Sequence, residues 1–581
     1  MKSIQRLVVL ALLSGNVALA ADNSNIPEAA SALNLTQSAS ATHYMAVTAN
    51  PHATAAAAAM LKRGGSAVDA AIAAQLVLGL TEPQSSGIGG GAFALYWESG
   101  KQKLHYFDGR ETAPAAVDEN YFMQDDGKPM PFADAVIGGH SVGVPGVVRL
   151  LALTHKRYGK LPWATLFEPA IALAQNGFAI SPRLYTVLKE TPRLLESSAL
   201  REHFFLPDGN PKPIGSLLKN PAYAKTLQQV ARGGEAAFYG GPIAGDMVAA
   251  VNFNANRTGK LALKDLADYR AVERDPICAA YLSYTVCGAA PPSSGGTTVL
   301  AILGMLQQFS PEQRAPSSAG FYHVFAEASA LAFADRDTYV ADPDFTSVPT
   351  AGLVAPDYLA ARAALIDPAK TMPMATAGEV QWPKAAQRVN YLASASPELL
   401  STSHLSIVDN FGNAFTMTTS VESAFGSRIF VDGFILNNQL TDFSFTPRDA
   451  DGKRVANRIE PGKRPRSAMA PTMVFKDNKP MLLIGSPGSA RIIDYVAKTL
   501  VYVLDGTLPL SDAIASPHII SLNRGIELEP GRSDAEKSAL MALGHSVKEV
   551  PQSSGLNGIF IDRKILTGVA DPRREGTAAG N

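Results

Sequence analysis

Small and apolar residues follow two different rhythms along this chain. Residues 53–63 (Ala-Thr-Ala-Ala-Ala-Ala-Ala-Met-Leu-Lys-Arg) are strong helix formers ended by Gly64-Gly65, and Ser66 stands where it can cap a second apolar helix running to Leu80. Two helices so rich in alanine pack closely. Short β-rich runs follow at 93–97 and 104–107, then helical stretches near 145–156, 163–175 and 318–333. Strands are expected again at 403–408, 414–420, 429–436, 472–476 and 481–485, which makes the C-terminal third the strand-dense part. The pattern predicts a mixed α/β or α+β fold with no internal repeat.

Composition narrows the function more than the fold. In 581 residues, 51 Lys+Arg balance 52 Asp+Glu, so the net charge is -1 and there is no concentrated basic surface for nucleic acid or an anionic membrane. With 48 Gly and 39 Pro, the chain is below the range of low-complexity or collagen-like sequences. Lys2 and Arg6, the apolar run 7–13 and Ala18-Leu19-Ala20 read as a signal peptide over 1–20, because Ser14, Gly15 and Asn16 interrupt the stretch before it reaches spanning length. A periplasmic or secreted protein is expected, with 21–44 a flexible leader. The only two cysteines flank Leu282-Ser283, and a two-residue turn there sets Cys278 opposite Cys287. Either a disulfide or two buried thiols would satisfy that spacing. No Cys/His group has metal-ligand spacing, so neither metal nor cofactor is expected.

Two glycine motifs compete for attention. Gly87-Ile88-Gly89-Gly90-Gly91-Ala92 matches a dinucleotide fingerprint, but strand-like residues follow it where a helix should start, so a close backbone turn is the better reading. Gly139-His140-Ser141-Val142-Gly143 matches the nucleophile elbow of serine esterases and leaves Ser141 as a rival nucleophile. The segment Thr402-Ser403-His404-Leu405-Ser406-Ile407-Val408, the turn 409–413 and Ala414-Phe415-Thr416-Met417-Thr418-Thr419-Ser420 form a hairpin lined with hydroxyls.

With this hairpin in place, the chain resembles the γ-glutamyltranspeptidase (γ-glutamyltransferase) family of N-terminal-nucleophile hydrolases. The resemblance rests on ordered motifs: Gly64-Gly65-Ser66-Ala67-Val68-Asp69, Gly87-Ile88-Gly89-Gly90-Gly91, Pro291-Pro292-Ser293-Ser294-Gly295-Gly296, Ala334-Asp335-Arg336, Thr402-Ser403-His404, Leu436-Asn437-Asn438-Gln439, Lys463-Arg464-Pro465 and Gly485-Ser486-Pro487-Gly488. It implies an α+β, four-layer αββα sandwich. It also implies a proenzyme that cuts itself between Ser401 and Thr402 into a large subunit (45–401 after the leader) and a small one (402–581), paired as a heterodimer. Cleavage would give Thr402 a free α-amine, with a reference pKa of about 7.7–8.0, to serve as its own base.

The resemblance further assigns residues. Thr402 would be the acylated nucleophile, Ser420 a hydroxyl beside it, and Gly488-Ser489 the oxyanion pair where the family has two glycines. Arg110 and Ser467 would bind the substrate carboxylate; Asp442 and Gln439 would bind its ammonium. Glu422 stands in place of a family Asn, and Ala468 in place of a second carboxylate-binding Ser. The donors would be glutathione-like γ-glutamyl compounds, the acceptors water, amino acids or dipeptides. No Tyr or Trp occurs in 443–466, so an aromatic lid over the site is not expected. A glutaryl or cephalosporin acylase of the same fold is the main alternative. A serine esterase using Ser141 and a non-catalytic secreted binding protein are more distant ones.

Overall fold

A computed structural model describes residues 37–254, 257–316, 318–382, 391–394 and 401–581. The signal-peptide segment and most of the leader lie outside these residues. From Gln37 onward the expected flexible leader is instead ordered: Gln37–Ala41 forms an edge strand paired with Ile565–Ala570.

Two antiparallel sheets of seven strands face each other. The first runs, in spatial order, Gln37–Ala41, Ile565–Ala570, Asn557–Asp562, Lys479–Gly485, Thr472–Lys476, Tyr284–Gly288 and Ile277–Tyr281. The second runs Thr577–Gly580, Met45–Thr48, Thr402–Val408, Ala414–Ser420, Gly91–Glu98, Lys103–Gly109 and Val272–Arg274. Helices cover both outer faces, giving the αββα order. Strand alternation explains how one chain fills three apolar layers. In Gly91–Glu98, Ala92, Ala94 and Tyr96 pack on the outer helices, while Phe93, Leu95 and Trp97 point between the sheets. A strand buried on both sides cannot alternate with polar residues.

The N-terminal helices form as their caps predict. Asn50 accepts the His52 N–H ahead of Pro51–Lys62, Gly64 stops that helix at φ +84°, and Ser66 with Asp69 makes a capping box for Ala67–Thr81. Every residue of the second helix is buried, so it has no polar face. On the far side, Gly295–Leu306, Ala319–Tyr339 and Ile492–Leu504 cover the first sheet.

Two local expectations change and one open choice is decided. The strand expected over 429–436 is a small hairpin, Phe430–Val431 with Phe434–Ile435, turned by Asp432-Gly433 with both residues at positive φ. The helix expected over 163–175 opens as a 3-10 turn at Trp163–Phe167 and becomes α-helical at Glu168–Asn176. Pro169 near the start of the α-helix suits the site where no amide donor is needed. The cysteine hairpin has the expected register, Cys278 opposite Cys287, and the two sulfurs are bonded, which settles the open choice in favour of the disulfide.

Candidate active site

Thr402 begins a central strand of the second sheet and pairs in register with Ser420, the last residue of the adjacent strand. Both are buried. Thr402 Oγ1 lies 3.3 Å from Ser420 Oγ, and Ser420 Oγ donates to the Ser401 carbonyl at 2.7 Å while accepting the Glu422 amide at 2.8 Å. One hydroxyl therefore touches both the proposed nucleophile and the carbonyl it must attack. A serine hydroxyl has one donor and two acceptor sites, and all three are used.

The junction is held from both sides. Ser401 Oγ donates to the Gln84 carbonyl. Ser403 Oγ donates to Glu82 at 3.0 Å, and Arg574 reaches the Thr402 carbonyl at 3.4 Å. Glu82 is buried against Arg183 at 2.9 Å, and burial pushes its carboxyl up despite the opposing guanidinium groups of Arg183 and Arg574. His404, two residues past the nucleophile, contacts Thr418 Oγ1 at 2.8 Å and Thr416 Oγ1 at 3.0 Å. Burial pushes His404 down to about 3, so it is neutral and holds the hydroxyl ladder in place. Gly485 of the facing sheet makes room for the ring, because a Cβ there would stand 2.2 Å from the imidazole.

Thr402, Ser420, Glu422, Gln439, Asp442, Ser467 and Ser489 line one cavity of about 20 Å³, room for a single water. Larger hollows, of about 630 and 540 Å³, open on the surface elsewhere, but neither contains Thr402. Ala468, Met469 and Ile492 complete the wall of the small cavity, and further charged side chains lie behind it. Arg110, fully buried, is held by the Pro465 carbonyl at 3.1 Å and the Arg466 carbonyl at 2.8 Å, and pairs with Asp442. Gln439 Nε2 donates to the same Asp442 oxygen at 3.4 Å. Glu111 lies 3.6 Å from Arg110 Nη1. Burial, only partly offset by Arg110, pushes its carboxyl up to about 8. Glu422, at φ +83°, accepts from Asn438 at 2.7 Å. Ser467 is fixed through its backbone, its carbonyl accepting from the Ser294 amide at 2.7 Å and from the Ser294 hydroxyl, which Arg336 orients. Gly488 and Ser489 adopt φ +135° and +60°. The left-handed conformation of Ser489 costs about 1 kcal/mol that glycine would not incur.

Residues 53–581 match the family model described as Gamma-glutamyltranspeptidase. The chain belongs to this family. It is 36% identical over 545 residues, 92% of this chain and 91% of the relative, to a glutathione hydrolase proenzyme of Bacillus subtilis (strain 168). It is also 32% identical over 544 residues, 92% of each chain, to the acylase ACY 1 proenzyme of Pseudomonas sp. (strain SE83). Among solved structures, a cephalosporin acylase from Bacillus halodurans superposes with TM-score 0.82 at 26% identity, covering 94% of this chain and 97% of that one. These relatives are of the γ-glutamyltranspeptidase and acylase kinds, and the shared architecture is the N-terminal-nucleophile hydrolase sandwich.

Within this γ-glutamyltranspeptidase fold the two glycine motifs are packing devices. A Cβ at Gly89 or Gly90 would stand 2.1 Å from the carbonyl oxygen of Ile435 or Ser420, so these glycines let the backbone pass directly behind the site. Ser141 is not a nucleophile elbow. Its buried hydroxyl bonds the carbonyls of Val136 and Gly138 at 2.9 and 3.0 Å, and His140 turns to the Tyr121 carbonyl at 2.9 Å. The serine-esterase alternative fails on that geometry. The segment 443–466 is tied down, with Asn457 linking the Asp442 carbonyl at 2.7 Å to the Arg466 amide at 2.9 Å. Sequence reasoning missed the Glu82–Arg183–Arg574 frame and the His404 ladder. Polar residues at every second position of both strands were the available signal for the ladder.

Proposed function

We propose that this protein is a self-processing γ-glutamyltransferase and glutathione hydrolase with Thr402 as its nucleophile. The observation that carries the reading is the Ser420 hydroxyl, shared between Thr402 Oγ1 and the Ser401 carbonyl beside a cavity lined by Asp442, whose carboxylate is paired with the buried Arg110. In the precursor, Thr402 Oγ1 attacks the Ser401 carbonyl carbon, Ser420 donates to the oxygen as it gains charge, and the acyl group passes from nitrogen to oxygen. The shift itself breaks the peptide C–N bond and frees the Thr402 amine, which takes up the hydroxyl proton; water then hydrolyses the ester, releasing Ser401 as a carboxylate and restoring the Thr402 hydroxyl. Residues through 401 and 402–581 become the two subunits of a heterodimer.

In turnover, the amine takes the hydroxyl proton as Thr402 attacks the δ-carbonyl of a γ-glutamyl amide, then returns it to the departing amine. Backbone amides of Gly488 and Ser489 stabilise the oxyanion. Water or an acceptor amine releases the glutamyl group. Recognition follows from charge exchange. The α-carboxylate of the substrate takes over the fork of Arg110, and its α-ammonium takes over Asp442, so the pair that neutralises the empty pocket is replaced by two matched pairs. Ser467 and Gln439 add hydrogen bonds, and Glu422 adds a second anion on the ammonium side. Ala468 forgoes one donor to the carboxylate, a loss of about 0.5–1.5 kcal/mol.

The acylase reading is favoured by the acylase relatives and by the altered Glu422 and Ala468. A glutaryl group has no ammonium, however, and would leave Asp442 buried without a matching charge. Export is part of the proposal, on the strength of Lys2, Arg6 and the apolar run after them; among the described residues no helix is long and apolar enough to cross a membrane. The test compares γ-glutamyl and glutaryl p-nitroanilides. A higher kcat/KM for the γ-glutamyl substrate is expected, and faster glutaryl release would overturn the assignment.

A further inference from the structure

At the opposite end of the helix Ala319–Tyr339 from Arg336, three side chains converge that the reaction does not use. His323 and Glu327 stand one turn apart on that helix, and His545 comes from the turn after Asp534–Ala542. All three are buried. His323 Nδ1 lies 2.7 Å from His545 Nε2, His545 Nδ1 lies 3.9 Å from Glu327 Oε1, and one donor atom from each residue falls within 4.8 Å of the other two.

We propose that His323, Glu327 and His545 form a structural site for a zinc-like divalent transition metal. Two features favour this over a hydrogen-bonded histidine pair. The first is orientation. His323 Nε2 contacts the Asp367 carbonyl at 2.8 Å, and a carbonyl can only accept, so Nε2 carries the proton and Nδ1 presents its lone pair to the cluster. A ring pinned by a backbone carbonyl through one nitrogen and free to ligate through the other is the usual state of a metal-bound histidine. The second is charge. Glu327 accepts from Thr371 Oγ1 at 2.7 Å and the Met372 amide at 2.9 Å, yet among the described residues no Lys or Arg pairs with it. A buried carboxylate facing two imidazoles lacks a cation, and a divalent metal supplies one.

Metal–nitrogen bonds of about 2.0–2.1 Å at tetrahedral angles separate ligand nitrogens by roughly 3.3 Å, so the ion would part the two rings by about half an ångström and displace the proton they share. Water would complete the coordination. The site lies roughly 14–20 Å along the helix from Arg336, from the rise per residue, so its role is to hold structure. It joins the helix 319–339 and the segment 367–372 to the C-terminal part of the chain. If the proposed cleavage occurs, the ion links the two subunits, but metal binding itself does not depend on that cleavage.

The experiment uses full-length protein without a histidine tag, purified without chelator, together with His545→Asn and Glu327→Gln. Bound metal is measured by plasma mass spectrometry. Stripped protein is then titrated with Zn2+ while calorimetry follows Tm, and with Co2+ while the visible spectrum reports tetrahedral ligation. For the wild type we expect about one metal per chain, a rise in Tm when Zn2+ is restored and a tetrahedral Co2+ band. Both variants should bind at least tenfold more weakly. A wild-type protein that neither retains nor responds to Zn2+ overturns the proposal, as does a folded variant that binds as tightly as wild type. If His545→Asn does not fold, the wild-type titration and Glu327→Gln decide.

Discussion

The hairpin that carries Thr402 has two faces built from alternate residues of the same two strands. On one, Leu405, Ile407, Phe415 and Met417 pack on the helical layer. On the other, Thr402, His404, Ser406, Thr416, Thr418 and Ser420 are equally buried but polar, and face the opposite sheet. The first face is explained by burial, worth about 1.5–3 kcal/mol for each large side chain. The second gains little from burial and would be destabilising if its groups were unpaired. Its hydroxyls instead bond to the His404 ring and, at the strand ends, to the scissile carbonyl. A strand that keeps a polar face where apolar residues would pack better has that face for chemistry and for the geometry that supports it.

Substitutions can test this division. Thr402→Ala should have the largest effect, leaving an uncut chain with activity at background, checked by denaturing gel and anilide assay. Arg110→Ala should still mature, but it strands Asp442 as a buried charge; a loss of about 3–5 kcal/mol corresponds to roughly a 10²- to 10⁴-fold drop in kcat/KM. Leu405→Ala, on the apolar face, should lower stability by about 2–5 kcal/mol in denaturant unfolding while cleavage still occurs. If Leu405→Ala abolished cleavage in protein that remained folded, the division between the faces would fail. Ser420→Ala should slow maturation by about 10²-fold, the usual cost of one oxyanion donor, in a time course of precursor disappearance.

The smallest effect concerns Glu111, whose oxygens have no hydrogen-bond partner among the described residues. Its carboxyl is raised to about 8 from the usual 4.5, so its contribution is fully present below the unfolded value and is lost as pH rises through about 8. Tm should therefore decline across that window more steeply in wild type than in Glu111→Gln. Equal slopes would remove Glu111 from the account.

What the sequence revealed depended on distance along the chain. The caps at Ser66 and Gly64, the cysteine register and the nucleophile hairpin all act over a few residues, where backbone geometry and side-chain type decide the outcome. The hairpin at Asp432-Gly433 had its turn signal in plain view, but the apolar run over 429–436 masked it. Helix Gly295–Leu306 was harder to read because it is apolar and buried on all sides and so lacks a polar period. The Arg110–Asp442 pair joins positions 332 residues apart, and no local pattern encodes such a contact. Only the family resemblance singled out both residues. Neither periodicity nor resemblance brought His323, Glu327 and His545 together, since spacing within the sequence shows only the helical pair.

The decisive measurement is N-terminal sequencing of the smaller fragment from purified, active protein. That fragment should begin Thr402-Ser403-His404 and appear in step with activity. Active protein that remains a single uncut chain, or a fragment that begins at any other residue, would contradict the proposed cleavage.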